Sequence, residues 1–179
     1  MTNAEFAILG LLAEQPRHGY EIEKTIEARG MREWTEIGFS SIYYLLRKLQ
    51  MAGFISTAIE AGKTGDKARK VYIIAPAGMA ACKKTAKEKL AHPHPTYPSI
   101  LLGLANIPLL LPSDVLEALS TRDSQLDKNL AHIEQQQKKQ APLPPFVNAI
   151  FAYSIAMVKA EKHWLNQTLK EMEKGYGKD

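Results

Sequence analysis

Between residues 40 and 74 the hydrophobic period switches from that of a helix to that of a strand, and no other stretch limits the fold so tightly. Ile42, Leu45, Leu46 and Leu49 fall at i, i+3, i+4 and i+7, the buried stripe of an amphipathic helix with Ser40 or Ser41 as its N-cap. Ala52-Gly53 ends that helix. Residues 54–61 and 69–74 are then rich in β-formers and flank the loop Gly62-Lys63-Thr64-Gly65-Asp66-Lys67-Ala68, which reads as a hairpin. Pro76 suits the first turn of a further helix over 76–90.

Two helices precede the switch. The first, residues 4–14, is opened by Thr2 and Glu5 at capping-box spacing and closed by Gln15-Pro16. Its Phe6, Ile8, Leu9, Leu11 and Leu12 require burial on most sides. The second, residues 19–29, buries Ile22 and Ile26 and stops at Gly30. Trp34 and Ile37, in the turn that follows, are expected to point inward. Three helices followed by a hairpin is the order of a winged helix-turn-helix domain, in which the third helix enters the major groove and the hairpin meets the backbone or minor groove.

His92-Pro93-His94-Pro95-Thr96-Tyr97-Pro98 cannot be helical and divides the chain. The expected organisation is a winged-helix domain over 1–91, a linker over 92–98 and a helical dimerisation domain over 99–179. The fold class is mainly α with a small β-hairpin. In the C-terminal part a long helix over 113–140 spans about 40 Å at the standard rise. It carries Leu116, Leu119, Leu126, Leu130 and Ile133 in three- and four-residue steps, a coiled-coil-like seam broken at Asp123. A proline-rich turn leads to a last helix over 145–174, whose segment 146–158 is apolar nearly all round. Burial on two sides is expected there, by its own domain and by a second subunit. The dimer-interface candidates are Leu116, Leu119, Leu126, Leu130 and Ile133 with Phe146, Ile150, Tyr153, Met157 and Trp164. The aromatic residues among them are also candidates to line a cavity for a small aromatic effector.

Charge divides between the halves as hydrophobicity does. The formal net charge is +4; residues 1–90 hold 14 Lys and Arg against 10 Asp and Glu, whereas residues 91–179 hold 9 against 9. Lys63, Lys67, Arg69 and Lys70 face one anion, Asp66, at the hairpin, the footprint of a polyanion-binding surface. On the third helix Ser40, Tyr44 and Arg47 lie opposite the apolar stripe, flanked by Ser41, Tyr43 and Lys48. Arg47 suits a bidentate guanine contact and Lys48 a phosphate. His18 and Tyr20 open the second helix, where a helix N-terminus favours phosphate. Duplex DNA with an inverted-repeat operator is the expected partner, together with a second copy of the chain. A protein-interaction or small-molecule-binding module without DNA binding is the alternative.

Other classes find little footing. No GxSxG, Walker loop, HExxH or CxxC is present, so the chain is not expected to be an enzyme. His92 and His94 lack carboxylate or cysteine partners, and neither a metal nor a cofactor is expected. The single cysteine, Cys82, precludes an intrachain disulfide and suits a reducing compartment. Without a signal pattern or a stretch long enough to span a bilayer, the expected location is the cytoplasm, with no membrane partner.

Several blocks closely resemble the PadR-type regulators: Leu9-Gly10-Leu11-Leu12; Pro16-Arg17-His18-Gly19-Tyr20-Glu21-Ile22; Ser41-Ile42-Tyr43 with Leu46-Arg47-Lys48-Leu49; Gly53-Phe54-Ile55; Arg69-Lys70-Val71-Tyr72; and Pro76-Ala77-Gly78. Ala160-Glu161-Lys162-His163-Trp164-Leu165 is similar to the last helix of the subgroup with a long C-terminal region. The resemblance implies a winged-helix homodimer and, in many members, repression relieved by a small molecule. Ser40 and Tyr44 depart from the Gly and Pro usual in the family. An altered operator preference and an altered turn into the third helix are therefore expected.

Overall fold

The computed structural model describes residues 1–35, 37–38, 41–60 and 69–176. Two compact units divide the chain, Met1–Pro95 and Thr96–Asp179. The first contains α1 (Asn3–Glu14), β1 (Arg17–His18), α2 (Gly19–Ala28), α3 (Ile42–Met51), β2 (Ile55–Glu60), β3 (Arg69–Ile74) and α4 (Pro76–Ala91). The second contains α5 (Ile100–Ala105), α6 (Pro112–Lys139) and α7 (Pro145–Tyr176).

In the first unit the core is built from the stripes that the sequence sets out. Ile8, Leu9, Leu11 and Leu12 of α1 meet Ile22 and Ile26 of α2, Ile42, Leu45, Leu46 and Leu49 of α3, and Ile55 and Tyr72 of the sheet. The capping box forms as its spacing requires: Thr2 N–H donates to Glu5 Oε2 at 2.7 Å and Glu5 N–H to Thr2 Oγ1 at 3.2 Å. Gly30 ends the turn after α2 with φ +59°, a conformation costly to a residue with a Cβ. Gly78 serves a different need. A Cβ there would lie 2.0 Å from the Phe54 carbonyl oxygen, so only glycine lets α4 settle against the chain entering β2.

Three expectations need correction. The sheet has three strands in the order β1-β3-β2, not two, with Arg17 opposite Tyr72 and His18 opposite Val71. A two-residue strand carries no alternation to read; its partner creates it. Trp34 is exposed, because the chain leaves helical geometry there (φ −129°) and Met31 with Ile37 fills the inward place. Ser41 is not a side-chain N-cap. Its backbone is already helical (φ −89°, ψ −17°), and its hydroxyl donates back to the Gly38 carbonyl at 2.8 Å.

Among the described residues of this unit Arg17 is the one buried cation. Its guanidinium donates to the Leu11 carbonyl (3.2 Å), Thr25 Oγ1 (3.2 Å) and Glu14 Oε2 (2.8 Å), which ties α1 to α2. Arg29 closes the same carboxylate from outside at 2.6 Å, and its hydrogen bond is the main cause holding Glu14 below the usual carboxylate range.

In the second unit α6 and α7 form an antiparallel hairpin. Val115, Leu119, Leu126 and Leu165 make its core, with Ile100, Ile107, Val158, Trp164, Leu169 and Met172 packed around them. Lys162 on α7 reaches Asp123 (3.1 Å) and Asp127 (2.6 Å), and Arg122 pairs with Glu161. Asp123, the break in the apolar seam, thus faces a cation. Among the described residues no helix is long and apolar enough to cross a membrane, and no group of three or more His, Cys, Asp or Glu is placed to hold a metal ion.

Candidate nucleic-acid interface

The outward side of α3 follows directly from its inward one. With Ile42, Leu45, Leu46 and Leu49 buried, the 3.6-residue repeat turns Tyr43, Tyr44, Arg47, Lys48 and Met51 to solvent. Two large side chains are left nearly uncovered there, Tyr44 at 66% and Met51 at 84% exposure. The folded unit gains nothing by burial from either.

Next to this helix lies a cleft of about 210 Å³ lined by His18, Gly19, Tyr20, Tyr43, Arg69, Lys70 and Tyr72. It gathers the start of α2, the first turn of α3 and the base of the hairpin. Gly19 eases the gathering: a Cβ there would stand 2.7 Å from Tyr43 Cε1, and the exposed ring would have to turn aside. Tyr20 is exposed rather than in the core. It stacks on His18 (ring centroids 5.6 Å apart) and lies under two cations, Lys24 at 5.8 Å and Arg69 at 5.9 Å. Lys70 lies over the Tyr72 ring at 5.3 Å and donates to Gln50 Oε1 of α3 at 3.2 Å. Burial pushes the Tyr72 phenol up from its usual range, so it stays neutral. Cations over aromatic faces beside a helix N-terminus suit phosphate oxygens and sugars.

The other expected contacts fare differently. Lys48 is exposed along its side chain, but its ammonium sits 2.6 Å from Glu5 Oε1 on α1. That hydrogen bond raises the lysine above its ordinary value. Burial pushes Glu5 up, and the hydrogen bonds from Lys48 and Thr2 outweigh it, leaving the carboxyl below its ordinary value. Lys48 therefore already has an anion within the chain. The pair lines a second cavity of about 390 Å³ with Leu49, Phe54, Lys84 and Glu88. Ser40, Lys63 and Lys67 lie outside the described residues.

Residues 8–84 match the model of the transcriptional regulator PadR-like family. That match lies within the N-terminal unit. Bacillus subtilis PadR in complex with operator DNA matches with a TM-score of 0.76 at 20% identity, over 94% of this chain and 98% of that one. The same protein in complex with p-coumaric acid matches equally, at 0.76 and 20% over the same shares. The smu.1604c protein of Streptococcus mutans UA159 matches at 0.71 and 21%, covering 95% of this chain and 99% of that one. At these identities the solved structures establish a shared fold. Among curated proteins none matches the chain.

The residues expected at a subunit interface fall into two groups. Leu119, Leu126 and Ile133 are buried within one chain, and Leu116 and Leu130 are half-buried. The expectation that the α6 seam meets a second subunit is thus corrected at its centre, because the hairpin partner α7 covers it. Trp164 is half-buried against the same cluster. Phe146 (70%), Ile150 (36%), Tyr153 (70%) and Met157 (54%) are instead exposed along α7 in steps of four, three and four. The sequence reading missed Glu5, Arg17, Gly19 and Glu60 as parts of the site's frame. Only Glu5 carried a signal, its capping spacing, and that points to Thr2 and not to Lys48.

Proposed function

We propose that the PadR-like chain is a homodimeric, DNA-binding transcriptional repressor of the cytoplasm, released from an inverted-repeat operator by a small aromatic molecule. The observation that carries this reading is the convergence of α2, α3 and β3 on one surface: Arg47 and Tyr44 project from α3 beside a cleft that displays Tyr20, Tyr43, Arg69 and Lys70. The width of the major groove admits such a helix, and the flanking cations match the phosphates on either side. Arg47 and Tyr44, with Ser40, are assigned to base edges. Tyr20, Tyr43, Arg69 and Lys70, with Lys63 and Lys67 of the loop, are assigned to the backbone. Ser41 and Lys48 make weaker phosphate contacts, since each already has a partner within the chain.

Pairing through α7 supplies the second DNA-binding unit. Ala160 and Trp164 continue the stripe of Phe146, Ile150, Tyr153 and Met157 in steps of three and four, the repeat of a two-helix seam. The repressor role follows the usual behaviour of the family, and the aromatic effector follows the p-coumaric acid complex of Bacillus subtilis PadR.

Binding of the full chain to duplex DNA, followed as a function of salt, tests the reading. Affinity falls steeply with salt. Changing Arg69 and Lys70 together to Ala weakens binding to all sequences alike and lowers the salt slope by roughly one per lost phosphate contact. A protein with no affinity for DNA at low salt would leave the protein-interaction alternative in its place.

A further inference from the structure

His18 stands where three elements of the first unit meet. Its backbone pairs β1 with Val71 of β3, and its N–H donates to Glu21 Oε2 of α2 at 2.8 Å. The imidazole is largely shielded, and an oxygen faces each of its nitrogens. Nδ1 lies 3.1 Å from the Lys70 carbonyl oxygen on β3. Nε2 lies 3.0 Å from Glu60 Oε2 at the end of β2. The titratable and charged groups around it are Glu21, Lys24 and Tyr20 from α2, Glu60 from β2, and Arg69, Lys70 and Tyr72 from β3, with Tyr43 of α3 on the same cleft.

A neutral imidazole has one N–H and one lone pair. Either neutral tautomer therefore satisfies one of these two oxygens and sets a lone pair against the other. Only the imidazolium donates to both. We propose that His18 is a proton-dependent positioning residue of the DNA interface. As imidazolium it clamps both strands at the base of the wing to the start of α2, and so holds Tyr20 and Arg69 in their stacked arrangement. In the neutral form one of the two ties is lost and the wing base loosens. The inference rests on the DNA-binding reading for its functional consequence, whereas the clamp itself is a property of the free chain.

Glu60 provides the means of testing it. In Glu60→Gln the carboxamide NH2 donates to the Nε2 lone pair, while Nδ1–H still donates to the Lys70 carbonyl. The neutral ring is then fully satisfied and the proton is no longer needed. Glu60 is exposed, so this substitution leaves the core intact.

The experiment follows the full-length wild type, Glu60→Gln and His18→Gln from about pH 5.5 to 8, the range in which imidazole titrates. Three quantities are read: the ring ¹⁵N shifts of His18, amide-exchange protection along Arg69–Val71, and affinity for a fixed duplex. In the wild type, protection and affinity fall together as pH rises across this range, affinity by about two- to fivefold, the scale of one partly exposed ion pair. Both slopes flatten in Glu60→Gln and in His18→Gln, although each variant keeps the remaining four histidines. Equal slopes in the three proteins would overturn the clamp, as would a His18 ring that titrates without any change at Arg69–Val71. Protection that follows His18 in the wild type and not in Glu60→Gln, with no DNA affinity at any pH, would uphold the clamp and remove the DNA-binding reading.

Discussion

The two units of this chain use apolar side chains to different ends. In the first, fourteen buried hydrophobic residues from three helices, the turn between α2 and α3, and the sheet close on one another, and what α3 leaves outside is a mixture of phenols, cations, one glutamine and one methionine. In the second, the buried cluster holds four residues, while Phe146, Ile150, Tyr153 and Met157 on α7 and Leu101, Leu102, Leu109 and Leu111 around α5 remain exposed. The first unit closes its core within a single chain and leaves phenols and cations outside on α3. The second leaves an apolar stripe uncovered on α7, which is what the proposed pairing would bury. A large exposed apolar stripe at seam spacing marks an interface more reliably than a buried one does, because a buried seam has already found its partner.

The largest effect that sharpens this contrast is expected in the finished core. Leu46→Ala removes a fully buried side chain of α3 and should cost about 2–5 kcal/mol of unfolding free energy, read by chemical denaturation. A cost below about 1 kcal/mol would mean that the core is not closed in one chain. The α7 stripe should behave in the opposite way. Ile150→Glu with Tyr153→Glu leaves helix content unchanged, since both side chains are exposed, but converts the assembly to monomer in sedimentation. If the double variant still sedimented as a dimer, the interface would lie elsewhere, with the exposed leucines around α5 as the next place to look.

Smaller effects separate reading from holding within the first unit. Arg47→Ala should cost about 1–3 kcal/mol at the preferred operator and relax preference at one base pair. Equal losses on operator and random DNA would make Arg47 a phosphate clamp. Glu5→Gln should have the least effect, about 1 kcal/mol, the size of a helix cap. Its signature is in the pH dependence. The Glu5 carboxyl lies below its ordinary value in the folded chain, so its contribution is present above the ordinary carboxylate range and is lost as pH falls through it. Glu5→Gln should therefore flatten the acid side of the stability profile, and it also frees Lys48 for a phosphate.

The same contrast explains what the sequence made legible. The α3 stripe was readable because a four-residue apolar repeat has one helical solution, and the outward positions of Tyr44 and Arg47 follow from it by geometry. The cleft was partly readable: His18, Tyr20, Tyr43, Arg69 and Lys70 were each marked, but nothing local says that Gly19 must admit the Tyr43 ring or that Glu60 closes on His18. Such pairings join residues far apart in the chain and exist only once β1 has paired with β3. The Lys48–Glu5 pair was not readable for the same reason, because the anion sits on α1. In the second unit the period showed two amphipathic helices but not which face each would spend on the other. Leu119, Leu126 and Ile133 were therefore placed at an interface that α7 already occupies.

The central claim is that a finished reading unit is paired through an unfinished one. Selection of bound sequences from random duplex DNA by the full-length chain tests it most directly, because the selected sites record both properties together. The account predicts enrichment of inverted repeats whose half-sites lie about one helical turn, or a whole multiple of it, apart. Enriched sites without dyad symmetry would contradict the pairing, and an unenriched pool would contradict the reading face itself.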